Sequence, residues 1–172
     1  MKTKLLLLAA LVGFGASGVL HASDEAPSNV SITFENSENY SDIRDGFTST
    51  KKGEEANLKA IEHYVKKQAK KYLPEDQKLE ITFTNIDLAG EFEPWGKAGM
   101  DDVRIVKGIY PPRIDLNFKV TEASGSIVKE GTRELRDLNF MMNLRINNDD
   151  RLRYEKTLID DWMRKDVRPE KS

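Results

Sequence analysis

Cysteine is absent from the 172 residues, and histidine occurs only at His21 and His63. Such a chain builds no disulfide, no cysteine nucleophile and no thiolate metal site. His21 falls in the N-terminal leader, so a catalytic triad or a histidine metal centre would have to rest on His63. An excess of positive charge is also missing: 27 basic residues face 29 acidic ones, for a net charge of −2. Nucleic acid and anionic membrane surfaces call for a basic footprint, and the charge balance argues against both as partners. Beyond the first 22 residues no apolar run approaches the roughly 20 residues of a membrane span. Neither an internal repeat nor a low-complexity tract is present.

What the chain does have is an address. Lys2 and Lys4 precede an uncharged run from Leu5 to Phe14, followed by Gly15, Ala16, Ser17 and Gly18 and a cleavage candidate after Ala22. That is the three-part pattern of a secretory signal peptide, too short for a good spanning helix. Cleavage leaves residues 23–172, 150 residues with 25 basic against 29 acidic and a net charge of −4. The length suits one domain with its own core. With no cysteine at the end of the leader, lipid anchoring by that route is excluded. Export without cysteine fits a bacterial periplasmic or secreted protein.

Residues 23–29 read as a disordered lead and 168–172 as a flexible tail, around a domain at 30–167. Val30, Ile32 and Phe34 alternate with polar residues, as do Leu79, Ile81 and Phe83, and then Ile114, Leu116, Phe118 and Val120. Period two over these lengths predicts strands with one apolar face. A fourth, less clearly patterned strand runs from Ile127 to Leu135 after the Ser124-Gly125 turn. Residues 36–52 read as a loop pinned by Tyr40, Ile43 and Phe47. Leu58, Ile61, Val65, Ala69 and Tyr72 form a helical stripe over Glu54–Leu73, which Pro74 ends. His63 lies opposite the stripe, as a solvated residue. Arg153–Val167 is the second helix, with Tyr154, Leu158, Ile159 and Trp162 as its apolar side. The order βαβββα with alternating strands gives an α+β two-layer sandwich: a four-stranded, mostly antiparallel sheet with two helices on one face.

Residues 89–108 join the second and third strands and exceed the usual connection of about 4–6 residues. Phe92, Trp95, Val103, Ile105 and Val106 predict that this segment packs. Asp87–Trp95, Asp102–Lys107 and Tyr110–Leu116 resemble the bacterial family Domain of Unknown Function 3016. So do Lys129–Gly131, Leu135–Phe140, Arg153–Lys156 and Asp160–Trp162, and the resemblance extends from about Val30 to Val167. It implies an exported proteobacterial domain and supplies no catalytic residue.

Candidate sites follow from residue types. Glu91 and Glu93, two apart, would lie roughly 6.5–7 Å apart on one side of an extended segment. That separation suits the acid and base of a glycan hydrolase, with Trp95 stacking on a sugar. Against it, Glu-x-Glu is common in surface loops, and Trp95 beside Pro94 is a good anchor. Arg104, Lys107, Arg113 and Lys119, with Asp115 and Asn117, mark a polar strip on the wet sheet face and its approach, a binding surface for an envelope protein or glycan. Arg136, Asp137, Arg153, Glu155, Asp160 and Asp161 offer ion pairs between the fourth strand and the last helix. Asp101-Asp102 and Asn147–Asp150 lack calcium-loop spacing and read as turns. Met100, Met141, Met142 and Met163 lack the local spacing of a copper site and read as core filler. No metal and no cofactor is expected. The reading reached is a non-enzymatic accessory or binding domain of the cell envelope; the alternative is the Glu91/Glu93 hydrolase.

Overall fold

A computed structural model describes residues 29–93, 102–142 and 149–169. The leader, the lead up to residue 28, Trp95, Met100, Asp101, Asn147, Asn148 and the last three residues lie outside the described residues. The chain is mixed α+β, with a four-stranded sheet and two helices. Strand β1 (Val30–Phe34) is followed by helix α1 (Lys51–Tyr72) and strand β2 (Gln77–Asp87). Two short strands, β3 (Glu91–Phe92) and β4 (Arg104–Ile105), pair antiparallel with each other in the long connection. Strands β5 (Arg113–Glu122) and β6 (Ile127–Arg136) and helix α2 (Arg153–Trp162) complete the order. A single π-helical turn, Met163–Val167, extends α2.

The sheet runs β1-β2-β5-β6, with β1 parallel to β2 and the other pairs antiparallel. Alternation explains its two faces. Leu79, Ile81 and Phe83 of β2 and Ile114, Leu116, Phe118 and Val120 of β5 are buried. They share one core with Ile61 and Val65 of α1 and Ile159 and Trp162 of α2. Trp162 meets Phe118 edge-on at 5.4 Å between ring centroids. The other face is polar: Arg113, Asp115, Asn117 and Lys119 of β5 flank Glu80 and Asp87 of β2 and Glu130, Thr132, Glu134 and Arg136 of β6. Gly125, at φ +89°, forms the hairpin turn between β5 and β6, as its Ser-Gly sequence suggests.

Several sequence expectations need correction. Helix α1 begins three residues earlier than Glu54, because the Thr50 hydroxyl caps it by accepting the Gly53 N–H at 3.0 Å. Tyr40 and Ile43 do pin the 36–50 loop, and the Tyr40 hydroxyl donates to the Phe83 carbonyl at 2.8 Å, but Phe47 is exposed. Met163 belongs to the core, whereas Met141 and Met142 are exposed. They sit in a 3-10 turn, Phe140–Met142, where Phe140 turns inward against Tyr154 and leaves both methionines outside. His63 is exposed as expected. No helix of the described residues is long and apolar enough to cross a membrane.

Candidate functional site

The 36–50 loop runs alongside β2: Asp42 N–H donates to the Ile86 carbonyl at 3.1 Å, and Leu88 N–H donates to the Asp42 carbonyl at 3.0 Å. This buries Asp42 where it meets two arginines. Arg44 Nε lies 3.1 Å and Arg104 Nη1 2.9 Å from its carboxylate. Burial pushes the Asp42 carboxyl up, but the hydrogen bonds from Arg104 and Arg44 outweigh it and hold the group below its usual value. Phe92 lies under both guanidinium groups, 4.5 Å from Arg104 and 5.5 Å from Arg44. Arg104 also donates to the carbonyls of Gly90 and Arg44, each at 3.0 Å. It therefore fastens the 36–50 loop to the β3–β4 excursion instead of standing on the polar sheet face. The sequence missed this role because its partners lie 60 and 62 positions away.

Both candidate acids are engaged. Glu91 Oε1 lies 2.7 Å from Arg44 Nη2. Glu93 accepts from Lys107 Nζ at 2.6 Å and from the Tyr110 hydroxyl at 3.0 Å. The Lys107 and Tyr110 hydrogen bonds hold the Glu93 carboxyl below its usual value. A general acid needs the opposite shift. Lys107, like Arg104, is thus tied within the excursion.

Next to this network the polar face ends in a cleft of about 250 Å³. Three strands deliver its charged floor: Asp87 of β2 pairs in register with Arg113 of β5, and Arg113 with Arg136 of β6. Leu88, Gly90, Glu91, Ile109, Tyr110, Pro111, Pro112 and Leu138 line the rest. Gly90 shapes one wall. Its φ is +84°, and a Cβ there would come within 2.8 Å of the Ile105 carbonyl oxygen. Its N–H donates to the Tyr110 carbonyl at 3.1 Å, which joins the two sides of the cleft.

Within the floor, Arg113 is already forked onto Asp115, Nε to Oδ1 at 2.9 Å and Nη2 to Oδ2 at 2.8 Å. Among the described residues the Arg136 side chain has no hydrogen-bond or ion-pair partner, and neither has the Asp87 carboxylate. Burial, then the nearby charges of Asp42 and Glu91, push the Asp87 carboxyl up. The walls hold Ile109 and Leu138 largely in solvent, 73% and 75% exposed. Of the residues singled out from sequence, Glu91, Arg113 and Arg136 line this cleft. Asp115 braces Arg113, and Lys119 lies farther along the face, 2.9 Å from Glu80.

Ion pairs join β6 to the turn that extends α2. Lys129 and Arg133 of β6 reach Asp166 of the terminal turn at 3.0 and 2.8 Å. Glu155 is fully buried. One of its oxygens accepts the Ala89 N–H at 2.7 Å, and the other has no hydrogen-bond partner among the described residues. Desolvation pushes this carboxyl up. Asp160 instead accepts from Tyr72 at 2.8 Å, and Asp161 pairs with Arg164. Asp150 pairs with Lys156 and accepts the Leu152 N–H at 2.9 Å, ahead of α2. Among the described residues no group of His, Asp and Glu comes together in a way that would hold a metal ion.

Fold and site together define an α+β sheet domain with one open polar face and a charged, apolar-walled cleft at its end. The model of the family described as a protein of unknown function (DUF3016) matches residues 28–165, and the chain belongs to that family. The searches of curated proteins and of solved structures found no match.

Proposed function

We propose that the chain is an exported, periplasmic or secreted domain that binds another component of the bacterial cell envelope and catalyses no reaction. In this reading the helices cover one face of the sheet as a second layer, and the open face with its terminal cleft makes the contact. The observation that carries it is the cleft itself: an unpaired Arg136 beside the exposed side chains of Ile109 and Leu138. Large apolar side chains grouped in solvent mark interaction sites when they cluster around a concavity. The leader pattern in residues 1–22 supports the compartment.

No observation favours the glycan-hydrolase alternative. Arg44 occupies Glu91, and Lys107 with Tyr110 occupies Glu93. The binding reading is tested by purifying the wild-type protein and an Arg136→Glu/Leu138→Ser variant from chemically cross-linked cell envelopes. A component recovered in near-equal amount with the wild type, and lost from the variant, is the expected result. Identical recoveries from the two proteins would overturn it.

A further inference from the structure

The cleft holds one unpaired base and one unpaired acid on a single row of the sheet. We propose that it takes the carboxy-terminal end of an extended peptide whose last side chain is apolar. The terminal carboxylate lies on the Arg136 guanidinium, and the side chain lies between Ile109, Leu138 and the Pro111-Pro112 wall. This rests on the binding reading of the same cleft and names its ligand.

Four observations point to this ligand. The first is the charge count: Arg113 is satisfied by Asp115 and Glu91 by Arg44, leaving the side chains of Arg136 and Asp87 without hydrogen-bond or ion-pair partners among the described residues. The second is the register, which sets Arg136 directly opposite Arg113 across β5 and β6. Like charges in that position repel, and a bound anion offsets the repulsion. A guanidinium also matches a carboxylate through paired N–H donors.

The third observation is spacing. Asp87 and Arg136 flank β5 on its two sides, so their Cα atoms lie about 10 Å apart by strand spacing. Two residues of extended peptide span about 7 Å. A carboxylate on Arg136 therefore leaves a backbone N–H one or two residues earlier within reach of the Asp87 carboxylate. The fourth is size and polarity. At about 250 Å³ the cleft falls below the roughly 300–1,000 Å³ of sites for drug-sized ligands and suits one or two residues. An inorganic anion would leave the Ile109 and Leu138 walls unused.

The test is a titration of the mature protein, followed through the methyl resonances of Ile109 and Leu138. The probes are N-acetyl-alanyl-leucine as the free acid, the same dipeptide as its terminal amide, and acetate. The free acid should shift both residues, with the amide and acetate each weaker by about tenfold or more, as loss of a charged hydrogen bond or of the apolar contact requires. Arg136→Gln should weaken the free acid by about tenfold, Arg136→Lys should restore part of the loss, and Lys67→Gln on the exposed side of α1 should change nothing. Equal binding of acid and amide, indifference to Arg136→Gln, or no shift of either residue would overturn the proposal. If that happens while the Arg136→Glu/Leu138→Ser variant still loses its envelope partner, the peptide ligand falls and the binding reading stands. If the variant loses nothing either, both fall.

Discussion

Asp42 and Glu155 are both buried carboxyl groups, yet their surroundings send them in opposite directions. Asp42 meets Arg44 and Arg104, which outweigh its burial, so its folded pKa lies below the unfolded one. Its contribution to stability is present above the ordinary carboxylate value of about 4 and is lost as the pH falls through the depressed value. Among the described residues Glu155 meets the Ala89 N–H and no cation at hydrogen-bond distance, and desolvation raises its folded pKa. Its ionisation costs stability as the pH rises from about 4.3 toward that raised value, and the cost persists above it. Urea unfolding from pH 3 to 8 separates the two. Glu155→Gln should flatten the decline on the neutral side and be more stable than the wild type at pH 7. Asp42→Asn should lose about 3 kcal/mol at pH 7, by leaving Arg104 and Arg44 without their buried partner, and should weaken the loss on acidification. Unchanged pH profiles in both variants would contradict these assignments. Neither role was legible in the sequence. Burial of a lone Asp or Glu depends on which segment crosses it, and Ala89 lies 66 positions from Glu155.

Strand β6 is the edge element whose pattern was hardest to read, and its inner positions show why. Lys129, Gly131 and Arg133 stand opposite Val120, Phe118 and Leu116, where apolar residues would complete an alternating strand. The guanidinium of Arg133 lies 5.1 Å from the Phe118 ring and forks onto Asp166 at 2.8 and 3.0 Å. Inward charges of this kind also discourage edge-to-edge pairing of sheets. A double-mutant cycle of Arg133→Ala and Asp166→Ala should give a coupling of about 1 kcal/mol, and strictly additive effects would contradict the bridge. Strands β1, β2 and β5 were legible because each is buried on one side only. Strands β3 and β4, two residues each, are too short to carry a period. The exposed Met141 and Met142 were misplaced because composition cannot tell a core methionine from one turned outward by its neighbour Phe140.

At the scale of the molecule, the cleft forms where Asp87 of β2, Arg113 of β5 and Arg136 of β6 meet residues 88–91 and 109–112 of the connection. Part of this was within reach of the sequence. The Ser124-Gly125 turn makes β5 and β6 a hairpin, a bulge at Val120/Thr121 sets the register of Arg113 opposite Arg136, and alternation places both on the polar face. The rest depends on Gly90 and Tyr110 joining across the connection and on Leu138 standing out beyond β6, which no periodicity announces. Glu91 and Glu93 were singled out as an acid and base, but Arg44, Lys107 and Tyr110 engage both carboxylates. The central claim is that this cleft is where the protein meets its partner. It is tested most directly by a photo-cross-linking residue placed at Leu138 in living cells, with the same residue at Lys67 as the comparison. The account predicts a discrete adduct at 138, none at 67, and loss of the adduct when Arg136→Glu is added. No adduct at 138, or equal adducts at both positions, would contradict it.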